Sequence, residues 1–379
     1  MSQFPYSNWE RYLSAFSSLT VMGREKKGDT DSMPDVTRLN VASGPNVDFI
    51  LLENRNTVTG KLFGRKNIAR QITDAVSTHD AVILRGITEN GIMAYHAARK
   101  MGNPVAVEVV GCAFDDMWNY GNIAGKIYAP IKFFTARKII RDADFVLYVT
   151  HDFLQRRYPT RATVTEIASN VEIPSPDPAV LAKRLQKITS MEKDEPVTLG
   201  MIGALNNRLK GHHIIFRTMH DLCAQDFNVR LRLLGGGNRA QWNKMVADLG
   251  IGDRVFFDGT LPSGNAVLRW LDGIDIYVQP SFQEGLPRAM IEAMSRGCPA
   301  IGSTAGGIYE LLDPRWIFQK GDSTALSTRL GDMLQHRDIW TTVAGKNFTM
   351  AGAFAASELK PRREKFWRAF ADYTRNQKH

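Results

Sequence analysis

The chain of 379 residues has only three cysteines, Cys112, Cys223 and Cys298, far apart and odd in number. Neither a disulfide framework nor a cysteine-based metal site has that spacing, so a reducing compartment such as the cytoplasm is expected. No run of eighteen or more apolar residues occurs, which excludes a helical membrane span. The first residues, MSQFPYSNWERYL, lack the basic segment and apolar run of a secretion signal. H-E-x-x-H, a Cys/His cluster, a P-loop and G-x-S-x-G are all missing, which removes zinc peptidases, P-loop NTPases and serine hydrolases from consideration. The chain is basic, with a net charge of +9, yet it has no long Lys/Arg run and no nucleic-acid-binding motif. Nucleic acid is therefore not an expected partner. Phosphorylated small molecules and anionic membrane surfaces suit the charge, and so does a surface kept basic for solubility. Two D-x-D triplets, Asp29-Thr30-Asp31 and Asp142-Ala143-Asp144, imitate a metal-binding signature. The first lies in a polar loop and the second ends a helix pattern ahead of a strand, so no metal site is expected.

What is present is alternation. LTVMGR, VDFILLE, DAVILRG, PVAVEVV and DFVLYVT read as buried strands, with NIARQITDAVSTH, NGIMAYHAARKMG and APIKFFTARKIIRDA at helical spacing between them. A Pro-rich break, IPSPDPAV, and a charged stretch follow, giving a linker near residues 173–195. The alternation then resumes through VTLGMIG, HHIIFRTMHDLCAQ, VRLRLLG, QWNKMVADLG, RVFFDG, AVLRWLDG, DIYVQP, PRAMIEAMSRG and PAIGS. Two α/β domains with doubly wound parallel sheets are predicted, over residues 1–175 and 176–355, facing each other across a cleft. Residues 356–379 form a basic amphipathic helix, expected either to return to the first domain or to lie on the surface.

PSFQEGLPRAMIEAMSRGCPAIG (280–302) is the most informative stretch. It places a βα loop at the cleft, with Pro287 at the first helical position and Gly297 just past the helix end. Such a loop offers free N–H groups and a helix dipole to an anion such as phosphate. Glu284 precedes the turn and Glu292 lies in the helix's second turn, where a carboxylate can accept hydrogen bonds from two vicinal hydroxyls. On charge and spacing alone, an N-terminal acid favoured by the dipole and a solvated helix glutamate explain the pair equally well.

The run EGLPRAMIEAMSRGCPAIGSTAGGIYELL resembles the E-x7-E region of GT-B retaining glycosyltransferases of the family 4 type. The resemblance implies that Glu292 binds the donor ribose, that Glu284 contacts the donor sugar, and that the backbone of Gly285, Leu286 and Pro287 holds the diphosphate. MIGALNNRLKGHH (201–213) resembles the family's phosphate-binding loop. Lys210 and Gly211 match its Lys-Gly pair, and Gly203 its glycine after the strand. The arginine usual after that glycine is here Ala204, so either Arg208 supplies the second cation or Lys210 acts alone. LLGGGNRAQW resembles the glycine segment flanking the nucleotide, through Gly235 and Gly236. It is not G-x-G-x-x-G, and no acid ends a following strand at the distance a dinucleotide fold requires. Gly306 and Gly307 are expected in another cleft-facing loop, or as plain turn residues.

In the first domain VEVVGCAFDDMWNYGN stands where relatives often carry a His or Asp at the cleft. There is no His; Asp115 is a candidate to face the cleft, although a surface acid or helix cap is the commoner role for it and for Asp116, and Trp118 and Tyr120 are candidates to stack on an acceptor sugar or to pack in the core. NIAGKIYAPIKFFTARKIIR interleaves apolar residues with Lys126, Lys132, Arg137, Lys138 and Arg141, a pattern suited to an anionic membrane surface and equally to a packed helix with a basic face. The resemblance also places a first strand and a glycine-rich loop before Phe4–Leu13, which here stands almost at the start, so that strand is expected either to be absent or to have been lost to a trimmed reading frame.

These implications describe a metal-independent hexosyltransferase without a cofactor, using a nucleotide sugar as donor and a saccharide or lipid-linked saccharide as acceptor. Its expected setting is cytoplasmic, either free or peripheral on the inner face of the plasma membrane, in bacterial surface or exported polysaccharide synthesis. The alternatives are a nucleotide-sugar 2-epimerase of the same fold and a catalytically silent sugar-nucleotide-binding subunit, with a dehydrogenase further behind.

Overall fold

The computed structural model describes residues 5–24, 41–53, 64–119 and 123–377. The Asp29–Asp31 triplet, Phe4 and Tyr120 lie outside them. Helix α1 (Ser7–Leu13) leads into strands β1 (Leu19–Arg24) and β2 (Val47–Leu52), paired in parallel with Leu19 opposite Val47. Helix α2 (Gly64–Ser77) precedes β3 (Val82–Arg85), α3 (Glu89–Met101), β4 (Val105–Val109), α4 (Ala113–Trp118), α5 (Ile123–Asp142), β5 (Phe145–Tyr148), α6 (Phe153–Arg157) and β6 (Val164–Ile167). Strands β3 to β6 make a four-stranded parallel sheet in chain order. Every residue of β4 and of β5 is buried, as a parallel sheet covered on both faces requires.

The second half comprises α7 (Pro178–Ser190), β7 (Val197–Ile202), α8 (His212–Ala224), β8 (Val229–Leu234), α9 (Ala240–Asp248), β9 (Val255–Phe257), α10 (Asn265–Asp272), β10 (Ile276–Gln279), α11 (Arg288–Ser295), β11 (Ala300–Ser303), β12 (Ile317–Phe318), α12 (Ser323–Gln335), α13 (Trp340–Gly352) and α14 (Ala356–Asn376). Its sheet is parallel, in the order β12-β11-β10-β7-β8-β9. The winding reverses between β7 and β10, and in open α/β sheets the crevice at that reversal is where ligands bind. The two loops leaving those strands are the Lys210 loop and the Glu284 loop.

Three sequence expectations change. The stretch read as a linker is mostly helix α7, capped by the Asp177 carboxylate on the Ala179 N–H with Pro178 at its first position. It is anchored by buried Arg184, whose guanidinium donates to the carbonyls of Leu271, Ile274 and Arg296. Helix α5 begins at Ile123, well before Ala129, with Pro130 inside it. Pro287 stands one residue ahead of α11, with φ −75° and ψ 109°, so Arg288 is the first helical residue.

The last helix crosses back. Phe366, Trp367 and Phe370 of α14 are buried, with Phe370 5.1 Å from the ring of Phe145 on β5 and Trp367 5.0 Å from Tyr12 on α1. Beneath them Glu108 of β4 is fully buried, accepting from the Tyr12 hydroxyl at 2.9 Å with Arg85 at 3.4 Å. Burial and the neighbouring carboxylate push the Tyr12 hydroxyl far above the usual tyrosine range.

Candidate active site

The loops at the β7/β10 reversal are stitched to one another. Gly203 N–H donates to Leu234 O at 2.9 Å, Leu205 N–H to Gly236 O at 2.9 Å, and Gly235 N–H to Gly259 O at 2.7 Å. These glycines thus form a continuous backbone floor across the ends of β7 and β8. Gly211 caps α8 in the left-handed region, with φ +81°. A Cβ there would stand 1.9 Å from the Pro280 carbonyl oxygen, so only glycine lets the two loops touch. Next to that contact Phe282 N–H donates to Leu209 O at 2.8 Å.

On this floor Lys210 Nζ lies 2.7 Å from Glu284 Oε1. The same oxygen accepts from Ser281 Oγ at 2.7 Å and Gln279 Nε2 at 3.0 Å. Three donors therefore fix a nearly buried carboxylate, while the lysine keeps about a third of its side chain open to solvent. The sequence reading gave these residues separate contacts; the structure makes them one ion pair. Behind Lys210, His212 and His213 open α8. Burial pushes both imidazoles down to about 4, so at neutral pH they add no charge to the helix end. His213 stacks on Phe282 at 5.3 Å and 13°. Arg208 and Ala204 are exposed, and among the described residues Arg208 pairs with no carboxylate.

Helix α11 ends as expected: Gly297 has φ +64°, its N–H donates to Met294 O and that of Cys298 to Ala293 O. Glu292, in the second turn, is mostly covered and bound at 3.0 Å by Arg288. Burial raises its pKa and Arg288 acts against that rise. Opposite, Gly285 presses against the first domain, where a Cβ would fall 2.4 Å from Val110 O. A cavity of about 270 Å³ opens beside this contact, with Glu284 and Gln283 on one wall and Gly86, Gly111, Cys112 and Asp116 on the other.

Residues 196–336 match the sequence model of the family described as Glycosyl transferases group 1. The chain carries a group 1 glycosyltransferase domain. Protein CapJ of Staphylococcus aureus is 26% identical over 324 residues, spanning 86% of this chain and 79% of its own. The putative colanic acid biosynthesis glycosyltransferase WcaL of Salmonella typhimurium is 30% identical over 136 residues, 32% of each chain. Among solved structures, Anabaena Alr3699/HepE in complex with UDP-glucose shares the fold with a TM-score of 0.61 over 95% of this chain and 99% of that one, at 16% identity. Two parallel-sheet halves about one cleft are the GT-B architecture of these glycosyltransferases.

Within that architecture the aspartate at the cavity is Asp116, not Asp115. Asp115 is buried and turned to Arg157 at 3.6 Å, because it occupies the inward face of the short helix α4. Asp116 stands at the cavity's open edge, where Gln283 of the second domain donates to it. Withdrawal from water raises its pKa, with Lys132 and Gln283 opposing. Asn119 reaches Gln283 Oε1 at 3.3 Å. Trp118 points away, stacked on Phe114 at 5.3 Å.

Sequence reasoning passed over Glu310. Its carboxylate accepts from three N–H groups of the first domain, His151 at 2.6 Å, Asp152 at 3.2 Å and Phe153 at 2.7 Å, and the neighbouring Tyr309 hydroxyl donates to Asp152 Oδ2 at 2.6 Å. The same short loop reaches the Glu284 loop, since Gly307 N–H donates to Gly285 O at 2.8 Å. The signal lay in GGIYE, where the glycines drew attention and the acid three residues on did not.

Proposed function

We propose that the protein is a retaining hexosyltransferase that moves a sugar from a UDP- or GDP-sugar to a lipid-linked saccharide, at a membrane face in bacterial surface or exported polysaccharide synthesis. In this reading it needs neither metal nor cofactor. The observation that carries the proposal is the Lys210–Glu284 pair at the winding reversal, set between the first turns of α8 and α11, with Glu284 on the wall of the interdomain cavity. The donor's diphosphate would lie against the helix N-termini, drawing on Lys210 as charge builds on the leaving oxygen. Glu284, held by Ser281 and Gln279, would keep its second oxygen for a sugar hydroxyl. Glu292 would take the ribose hydroxyls. The glycosidic C–O bond breaks with its electrons going to the diphosphate, the acceptor oxygen attacks on the same face, and its proton passes to the leaving phosphate. Arg208, exposed two residues before Lys210, would supply the second cation in place of the arginine missing at Ala204. The printed names of the relatives support the setting: WcaL is named for colanic acid biosynthesis, and Alr3699/HepE was solved with UDP-glucose.

Proton NMR of a UDP- or GDP-sugar incubated with the protein but no acceptor tests this. Slow release of free sugar, first seen as the donor's own anomer, is expected. Binding without any release favours the second reading, a silent sugar-nucleotide-binding subunit, toward which the alanine at position 204 points.

A further inference from the structure

Helix α5 has two apolar faces where a surface helix has one. Gly125, Ala129, Ala136, Ile139 and Ile140 are buried against the domain. On the opposite side Ile123 is 78% exposed, Ile127 69%, Ile131 57% and Phe134 64%, with Trp118 of α4 at 45%. The spacing 123, 127, 131, 134 sets these four side chains in one stripe less than a quarter of the circumference wide, at about 100° per residue. Four large side chains so exposed in one row are a contiguous apolar ridge, which soluble monomers rarely display. The charges beside it are cationic: Lys126, Arg137, Lys138 and Arg141, while Lys132 lies on the other side of the helix and the acid Asp142, its last residue, pairs with Arg141 at 2.8 Å. Lys126 and Arg137 border the stripe on one side, while Lys138 and Arg141 continue its line beyond Phe134. Lys126 Nζ also lies 5.7 Å from the Trp118 ring, tying the aromatic end of α4 to the ridge.

We infer that this ridge lies in the interface of an anionic lipid bilayer, with the isoleucines and Phe134 among the acyl chains and the cations at the headgroups. A second copy of the chain is a poorer fit, because a twofold contact would set the same cations against each other. The inference rests on the proposed lipid-linked acceptor and sharpens it. Asp116, at the edge of the cavity, is two residues from Trp118 on the same short helix. Docking through the ridge therefore brings the acceptor side of the cleft down to the membrane surface. The acceptor class that follows is an amphiphile whose lipid stays in the bilayer while its sugar or phosphate head rises into the cleft.

Flotation with vesicles of phosphatidylcholine, with and without phosphatidylglycerol, tests the inference on the full chain. Binding to the phosphatidylglycerol vesicles, weakened by salt, is expected. Ile127→Glu combined with Phe134→Glu should weaken it at least tenfold, and each of Lys126→Glu and Lys138→Glu by about fivefold or more. All these side chains are exposed, so the melting temperature and its rise with a nucleotide sugar should not change. Wild-type protein that stays unbound, or variants that bind as well as wild type, overturn the inference. So does a dimer in sedimentation velocity that Ile127→Glu dissociates, which would give the ridge to a second copy. Vesicle binding without any nucleotide-sugar effect on melting would leave the docking surface standing and sink the enzyme reading; the reverse result would do the opposite.

Discussion

Lys210 and Glu284 sit 2.7 Å apart, so neither can be altered without disturbing the other. Lys210→Ala should lower kcat by about 10²–10³-fold, the range for removing one preorganised donor to a developing negative charge. Glu284→Ala should do similar harm. The double variant should lose much less than the product of the two, because the pair acts as a unit. Steady-state kinetics on the four proteins checks this, and independent effects would refute the shared role. His212 gives a second prediction. Its folded pKa of about 4 lies below the ordinary 6.5, so between those values the unfolded chain binds a proton that the folded histidine refuses. Stability from this fully buried group is present above pH 6.5 and falls as the pH drops toward 4, by on the order of 3 kcal/mol. Urea midpoints across that window should show the fall, and His212→Phe should reduce it, leaving the part that His213, likewise lowered to about 4, contributes. Which residue types face the cleft was legible in the sequence, but not always which residue. Asp115 and Asp116 are adjacent on a six-residue helix, and only the packing of α4 on Arg157 decides which one turns inward.

The longer strands were legible because burial on both faces leaves continuous apolar runs, as in VAVEV and IYVQ. Strand β12 has two residues and β6 is broken by the adjacent polar residues Thr165 and Glu166, so neither makes such a run. Helix α7 was hidden for another reason. Its Pro and Asp residues resemble a linker until they are seen as a cap, and the anchor Arg184 binds carbonyls 87 to 112 positions away. Three hydrogen bonds from one buried guanidinium suggest a stability cost of about 3 kcal/mol for Arg184→Leu. With an unfolding entropy of about 2.1 cal/mol/K per residue over 379 residues, that corresponds to a melting point lower by roughly 4 °C. A shift under 2 °C by calorimetry would show that the carbonyls find other partners at little cost.

Besides the contacts of Gln283 and Gly285 with the first domain, two further features join the halves of the molecule, and both involve residues far apart in the chain. Helix α14 returns from the second half to lay Phe366 and Phe370 on Phe145, and Glu310 closes on the N–H groups of His151, Asp152 and Phe153. The motif around Glu284 was readable because it is continuous; the latch was not, because its receptor is bare backbone 157 to 159 residues earlier. Because the Glu310 loop also holds Gly285, loss of the carboxylate should loosen the donor loop and the first domain together. Glu310→Ala is expected to lower kcat about tenfold or more while leaving the dissociation constant for a nucleotide sugar within about twofold, the loss falling on closure, where small misplacements are costly. An unchanged kcat would assign Glu310 to stability alone.

The central claim is that the β7/β10 reversal, with Lys210, Glu284 and Glu292, is a nucleotide-sugar site. Calorimetric titration of the wild type and of Glu292→Ala with UDP-, GDP- and ADP-sugars addresses it most directly. One of these donors should bind the wild type, and Glu292→Ala should weaken that donor at least tenfold while weakening inorganic diphosphate little. Absence of binding by all three, or equal affinity in the variant, would contradict the account.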